Sequence, residues 1–205
     1  MGKKKRSLLN IPAEIIKEGV GFAIVRFSEF SRTFVVTYEY IHGRKPIDGQ
    51  QAMDKIEITG FKLIGLKLNH KTTNEGGQSS IDCGNLWQKF EKEHFAERIP
   101  NKLDEEIYAV YFEYEGDHTQ PFSYFIGCKV KMDTAVPQGM DGLLLPTQNY
   151  AKVIAKGKMP ECVSNAWKSI WASTINRTYK FDFEKYDERS KDWSNAEVEI
   201  YVSAN

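Results

Sequence analysis

Cysteine is scarce in this 205-residue chain, and the three present, Cys83, Cys128 and Cys162, are odd in number and far apart. They argue against a disulfide framework and fit a reducing, cytoplasmic setting. No apolar run approaches the roughly 18 residues of a membrane-spanning helix, so no membrane role is expected. Lys3-Lys-Lys-Arg6 could open a signal peptide, but Leu8-Leu-Asn-Ile-Pro12 is too broken for its apolar stretch. The four histidines, His42, His70, His94 and His118, are scattered without the spacing of a metal site. Gly76-Gly77 lacks the Gly-Lys-Ser/Thr ending of a phosphate-binding loop, and neither metal nor cofactor is expected. Net charge is absent too, since 28 basic residues cancel 28 acidic ones. The balance is uneven, because residues 1–50 hold nine Lys/Arg against five Asp/Glu. That split allows nucleic-acid contact by the N-terminal segment and argues against it for the whole chain.

Aromatic residues are plentiful, at 13% of the chain, and their placement exposes a repeat. The unit over about 53–132 opens with a strand at 55–68 and continues through a polar, Gly-rich loop. A helix is expected around 84–96, where Leu86, Trp87 and Phe90 share one face. Strands at 106–114 and 123–130 close the unit, joined by a loop with hairpin chemistry. The unit over about 140–205 repeats this order. Strands are expected near 143–145 and 150–155, then a helix from Pro160, a residue suited to a first helical turn. Val163, Ala166, Trp167, Ile170, Trp171 and Thr174 follow helical spacing, and strands at 179–186 and 196–202 complete the unit. The fold class is therefore α+β: duplicated β-α-β-β units forming an antiparallel sheet with two helices and a central cleft. Residues 1–50 stand apart as a short helical segment, with helices expected at 12–18 and 29–41. Residues 53–205 form the main domain.

Within this frame Glu184 is anomalous, an acid inside Tyr179-Lys-Phe-Asp-Phe-Glu-Lys-Tyr186. Strand alternation puts Tyr179, Phe181 and Phe183 on one face and Lys180, Asp182, Glu184 and Tyr186 on the other. A carboxylate among rings is costly to desolvate unless something positive meets it. It is either a surface group paired with Lys180 or Lys185, or the floor of a pocket for a cation. Phe112-Glu113 occupies the equivalent strand of the first repeat, so Glu113 is a second candidate. Alternation gives Tyr111 the same face as Glu113, and Tyr108 and Tyr114 the opposite one. Trp167 suits core packing, whereas Trp171, one turn further, suits the border of a cleft.

The chain from residue 53 onwards resembles the GyrI-like effector-binding domain, found alone or attached to AraC-type and MerR-type regulators. The resemblance rests on Phe61-Lys-Leu-Ile-Gly-Leu66, Leu86-Trp-Gln-Lys-Phe90 and Ile107-Tyr-Ala-Val-Tyr-Phe-Glu-Tyr-Glu-Gly-Asp117. It continues through Tyr124-Phe-Ile-Gly127, Ala166-Trp-Lys-Ser-Ile-Trp171, Asp182-Phe-Glu-Lys-Tyr186 and Glu197-Val-Glu-Ile-Tyr201. It implies a duplicated β-α-β-β fold whose cleft binds amphipathic cations, with Glu184 as their charge partner. Trp87, Tyr111, Tyr114, Trp171 and Phe183 are the candidate walls, alternation alone not deciding which rings face the cleft, and cation–π attraction suits them to the task.

The same resemblance implies an alternative, a hydrolase that opens cyclopropane rings of DNA-alkylating natural products with Glu184 and Tyr111. The N-terminus resembles a truncated AraC-type helix-turn-helix unit, through Leu8-Leu-Asn-Ile-Pro-Ala-Glu14, Gly21-Phe22, Phe30-Ser-Arg-Thr-Phe34 and Gly43-Arg-Lys-Pro46. Only one such unit is present where intact relatives of that type carry two, and Pro12 interrupts its first helix. Arg26 and Arg32 are the candidate DNA contacts, through phosphates. The partners implied are thus an amphipathic small molecule and either DNA or a DNA-binding protein.

Overall fold

The computed structural model describes residues 55–205 in full and, before them, the backbone of four strands. These are β1 (Lys5–Arg6), β2 (Pro12–Gly19), β3 (Phe22–Phe27) and β4 (Thr33–Thr37), an antiparallel sheet in that order. β2 stands where a helix was expected at 12–18, and β4 crosses the helix expected at 29–41, the rest of which lies outside the described residues. Phe22-Ala-Ile-Val-Arg-Phe27 and Thr33-Phe-Val-Val-Thr37 concentrate β-branched and aromatic residues, which favour a pleated surface over a helix. A helix-turn-helix is not shown. Arg26 lies in β3, while Arg32 and most of 29–41 fall outside the described residues.

Residues Met53–Asn205 form a separate compact unit. Its strands are β5 (Lys55–Ile58), β6 (Phe61–Lys67), β7 (Lys102–Phe112), β8 (Ser123–Val130), β9 (Asp141–Leu145), β10 (Gln148–Gly157), β11 (Phe181–Tyr186) and β12 (Ala196–Ser203). Its helices are α1 (Gln78–Lys92), the short α2 (Phe95–Arg98) and α3 (Glu161–Ala172). The eight strands form one sheet in the order β5-β10-β12-β11-β7-β8-β6-β9, with every neighbour antiparallel. The expected duplicated β-α-β-β architecture is present, and the two repeats meet at the central β7–β11 pair. Among the described residues no helix is long and apolar enough to cross a membrane.

The ends of this sheet are exchanged. The stretch 55–68, expected as one strand, breaks between Ile58 and Phe61. β5 then pairs with β10 of the second repeat, Ile58 opposite Gln148, while β9 pairs with β6 of the first, Leu145 opposite Phe61. Each repeat thus lends its leading strand to the other. The crossing is tight: the Gly60 amide donates to Thr147 Oγ1 at 2.8 Å, and a Cβ on Gly60 would lie 2.7 Å from the Leu145 carbonyl oxygen.

Strand alternation divides the core between the two sheet faces. On one face Phe61, Tyr108, Tyr150, Phe183 and Tyr201 pack together. Phe61 reaches Phe183 at 5.7 Å between ring centroids although β7 and β8 lie between their strands, so the sheet curls around this face. The helices cover the opposite face in two clusters. α1 sets Leu86 and Phe90 onto Ile64, Leu66 and Ile126, and α3 sets Val163, Trp167 and Ile170 onto Val198, Ile200 and Val202. Tyr111 and Tyr186 touch both clusters and stand where the repeats join.

Candidate functional site

At that junction a cavity of about 550 Å³ opens between α1 and α3, with Glu184 at its floor. Glu184 is 1% exposed. Three side chains donate to it: Trp167 Nε1 to Oε1 at 2.6 Å, Tyr111 Oη to Oε1 at 2.8 Å, and Tyr186 Oη to Oε2 at 2.6 Å. Burial pushes the Glu184 carboxyl above its ordinary range, and the three donors pull the other way without cancelling it. Among the described residues no ion pair reaches Glu184.

The walls carry an approximate twofold symmetry. Trp87 of α1 meets Tyr186 edge-on at 4.9 Å, and Trp167 of α3 meets Tyr111 edge-on at 5.0 Å. The offset that carries Tyr111 onto Tyr186 also carries Ala109 onto Glu184, and these two residues are paired directly across β7 and β11. Glu184 therefore sits at the symmetry centre as an acid without a counterpart. Its repeat equivalent is Ala109, not Glu113 as the sequence suggested.

Glu113 lies outside the cleft. Its backbone is left-handed, at φ 52°, and its carboxylate binds Lys67 Nζ at 3.0 Å and Ser123 Oγ at 2.6 Å. That left-handed residue interrupts alternation after β7, so Tyr114 joins Tyr111 on the cavity side instead of Tyr108. Phe183 is also corrected: it belongs to the core on the other sheet face. Trp87, Tyr111, Tyr114 and Trp171 do line the cavity.

Sequence reasoning missed several members of the site. Trp167 packs in the core as expected, and in addition its indole N–H donates to Glu184, a role that core packing does not reveal. Tyr186 was legible by alternation, two residues from Glu184 on the same face. Asp182, on that face too, is fully buried and accepts from Arg177 Nη2 at 2.6 Å, Tyr114 Oη at 2.8 Å, and the Ser203 amide and hydroxyl at 2.6 and 2.7 Å. Arg177 arrives from a segment without any pattern. The Asp182–Arg177 pair is internally balanced, leaving Glu184 as the buried charge without an ion pair among the described residues, while the exposed Lys168 of α3 also lines the cavity. A second cavity, of about 700 Å³, shares Trp87 and Tyr186 with the first and has an acidic lining that includes Glu91, Asp104 and Glu105. Among the described residues no cluster of His, Cys, Asp and Glu is arranged to hold a metal ion.

Comparison with known proteins gives the fold a family. The pattern of "Cass2: Integron-associated effector binding protein" matches residues 56–203. The chain is 29% identical over 122 residues to the "Putative transcriptional regulator protein YobU" of Bacillus subtilis, spanning 58% of this chain and 76% of that one. Among solved structures it is similar to the integron cassette protein VCH_CASS2 of Vibrio cholerae, at a TM-score of 0.56 and 29% identity over 74% of this chain and 95% of that one. It also shares its fold with SAV2435, described bound to tetraphenylphosphonium, at a TM-score of 0.60 and 18% identity over 74% of this chain and 92% of that one.

Proposed function

The chain belongs to the Cass2 family of integron-associated effector-binding proteins, within the GyrI-like superfamily, and from that premise we propose that its cleft binds amphipathic cations with Glu184 as their charge partner. One observation carries this reading. A carboxylate 1% exposed, held by three neutral donors and lacking an ion pair among the described residues, floors an aromatic cavity open between two helices. Burying an uncompensated charge is unfavourable, and a cationic ligand removes that penalty while the rings supply cation–π attraction of about 0.5–2 kcal/mol each. Trp87, Trp167, Tyr111 and Tyr186 give the cavity an aromatic lining, which suits lipophilic cations. That a protein of the same fold is described bound to tetraphenylphosphonium supports the choice of ligand class. The resemblance to a named transcriptional regulator supports a sensing role, in which ligand occupancy is passed to DNA or a DNA-binding partner.

Fluorescence titration tests this directly, because three tryptophans, Trp87, Trp167 and Trp171, line the site. Tetraphenylphosphonium is expected to quench them saturably, and triphenylphosphine oxide, aromatic but uncharged, to bind at least about tenfold more weakly. Equal affinity for the two compounds would refute a charge-based site. The hydrolytic alternative uses the same Glu184 and Tyr111. Incubation with a cyclopropane-bearing alkylator and analysis for ring-opened product separates turnover from binding.

A further inference from the structure

The cleft holds polar groups that Glu184 does not use. The Arg177 side chain is 4% exposed. Its Nη2 donates to Asp182, but Nε and Nη1 are buried without a hydrogen-bond partner. The guanidinium carbon lies 4.2 Å from the Tyr179 ring centroid and 5.8 Å from that of Trp167. Buried donors are normally paired, because an orphaned one forfeits its hydration. His118 shows the same feature: its Nδ1 is buried and unpartnered, and its ring stacks on Trp171 at 5.0 Å and 11°. Both residues line the cavity floored by Glu184. Trp167 links the two ends, its N–H on Glu184 and its ring beside Arg177, and Trp171 continues the wall to His118.

We propose that Arg177 and His118 form an acceptor-recognising subsite, so that the preferred ligands are lipophilic cations bearing a carboxylate or carbonyl oxygen at the end remote from the charge. This rests on the cation reading of Glu184 and adds polarity to it. The positive centre of the ligand meets Glu184. Its oxygen accepts from Nε or Nη1 of Arg177 and from His118 in the tautomer protonated at Nδ1. The reversed pose sets the ligand oxygen against the Glu184 carboxylate and forfeits the attraction of the cation for that carboxylate. Asp182 balances the Arg177 charge, so the subsite presents donors without repelling the cation held at Glu184.

Calorimetric titration with carboxybutyl-triphenylphosphonium and hexyl-triphenylphosphonium tests the subsite, since the two share cation and chain length. Wild type is expected to bind the carboxybutyl compound at least about tenfold more tightly. That advantage is expected to fall below about threefold in Arg177→Lys, which keeps a charge opposite Asp182 but loses the fork, and in His118→Ala. Equal affinities for wild type would overturn the subsite and leave the Glu184 reading standing. An advantage that survives in both variants would overturn it too. If neither compound binds, the cation reading fails and the subsite falls with it.

Discussion

Replacing Glu184 with Gln removes the buried, unpaired carboxylate of the cleft and little else. Oε1 remains to accept from Trp167 and Tyr111, and the Tyr186 hydroxyl can rotate to accept from the new amide. A cation about 4 Å from the carboxylate gains about 4 kcal/mol at the effective dielectric typical of a protein cleft. The cavity is open on one side, so solvent and salt reduce this, and a net loss of about 1.4–3 kcal/mol is expected. That corresponds to a rise of about 10- to 150-fold in the Kd for tetraphenylphosphonium, measured by calorimetry at fixed ionic strength. The unliganded variant should melt at the wild-type temperature or above, because it no longer desolvates a charge. Glu184→Gln binding the phosphonium within about twofold of wild type, with the fold intact, would refute the electrostatic reasoning.

Other outcomes follow from the same geometry. Since burial raises the Glu184 carboxyl, the folded protein takes up its proton more readily than the unfolded chain does. The associated stability is present at low pH and lost as pH rises through the folded value, whereas cation affinity is gained over that same rise. Thermal melts and phosphonium titrations across pH should move in opposite directions, and both trends should flatten in Glu184→Gln. Asp182→Asn leaves Arg177 buried without its counter-charge, and urea denaturation should record a loss of about 3–5 kcal/mol. In Gly65→Ala the new Cβ would lie 1.9 Å from the Ile126 carbonyl oxygen, so β6 and β8 must part. A loss of about 1–3 kcal/mol or more is expected in the same assay.

Much of the main domain was legible because its signals are local. Alternation and helical spacing located both helices and the strands of each repeat, and alternation put Asp182, Glu184 and Tyr186 on one face. What was not legible depended on departures from those periods or on distant pairing. The break at Thr59-Gly60 sends two halves of one apolar stretch to opposite ends of the sheet, which no local pattern records. The left-handed backbone at Glu113 turned Tyr114 into the cleft and Glu113 out of it. Trp167 shows a different limit, since helical spacing identifies a buried ring but not that its N–H points at a carboxylate. In the N-terminal segment, residue pattern and motif order suggested helices where β-branched residues make strands.

A structure of the protein bound to tetraphenylphosphonium is the most direct test of the central claim. The phosphonium centre is predicted to lie against Glu184, between the Trp87–Tyr186 and Trp167–Tyr111 pairs. A phosphonium held instead in the acidic cavity beside Glu91 and Asp104, with the Glu184 cleft unoccupied, would contradict it.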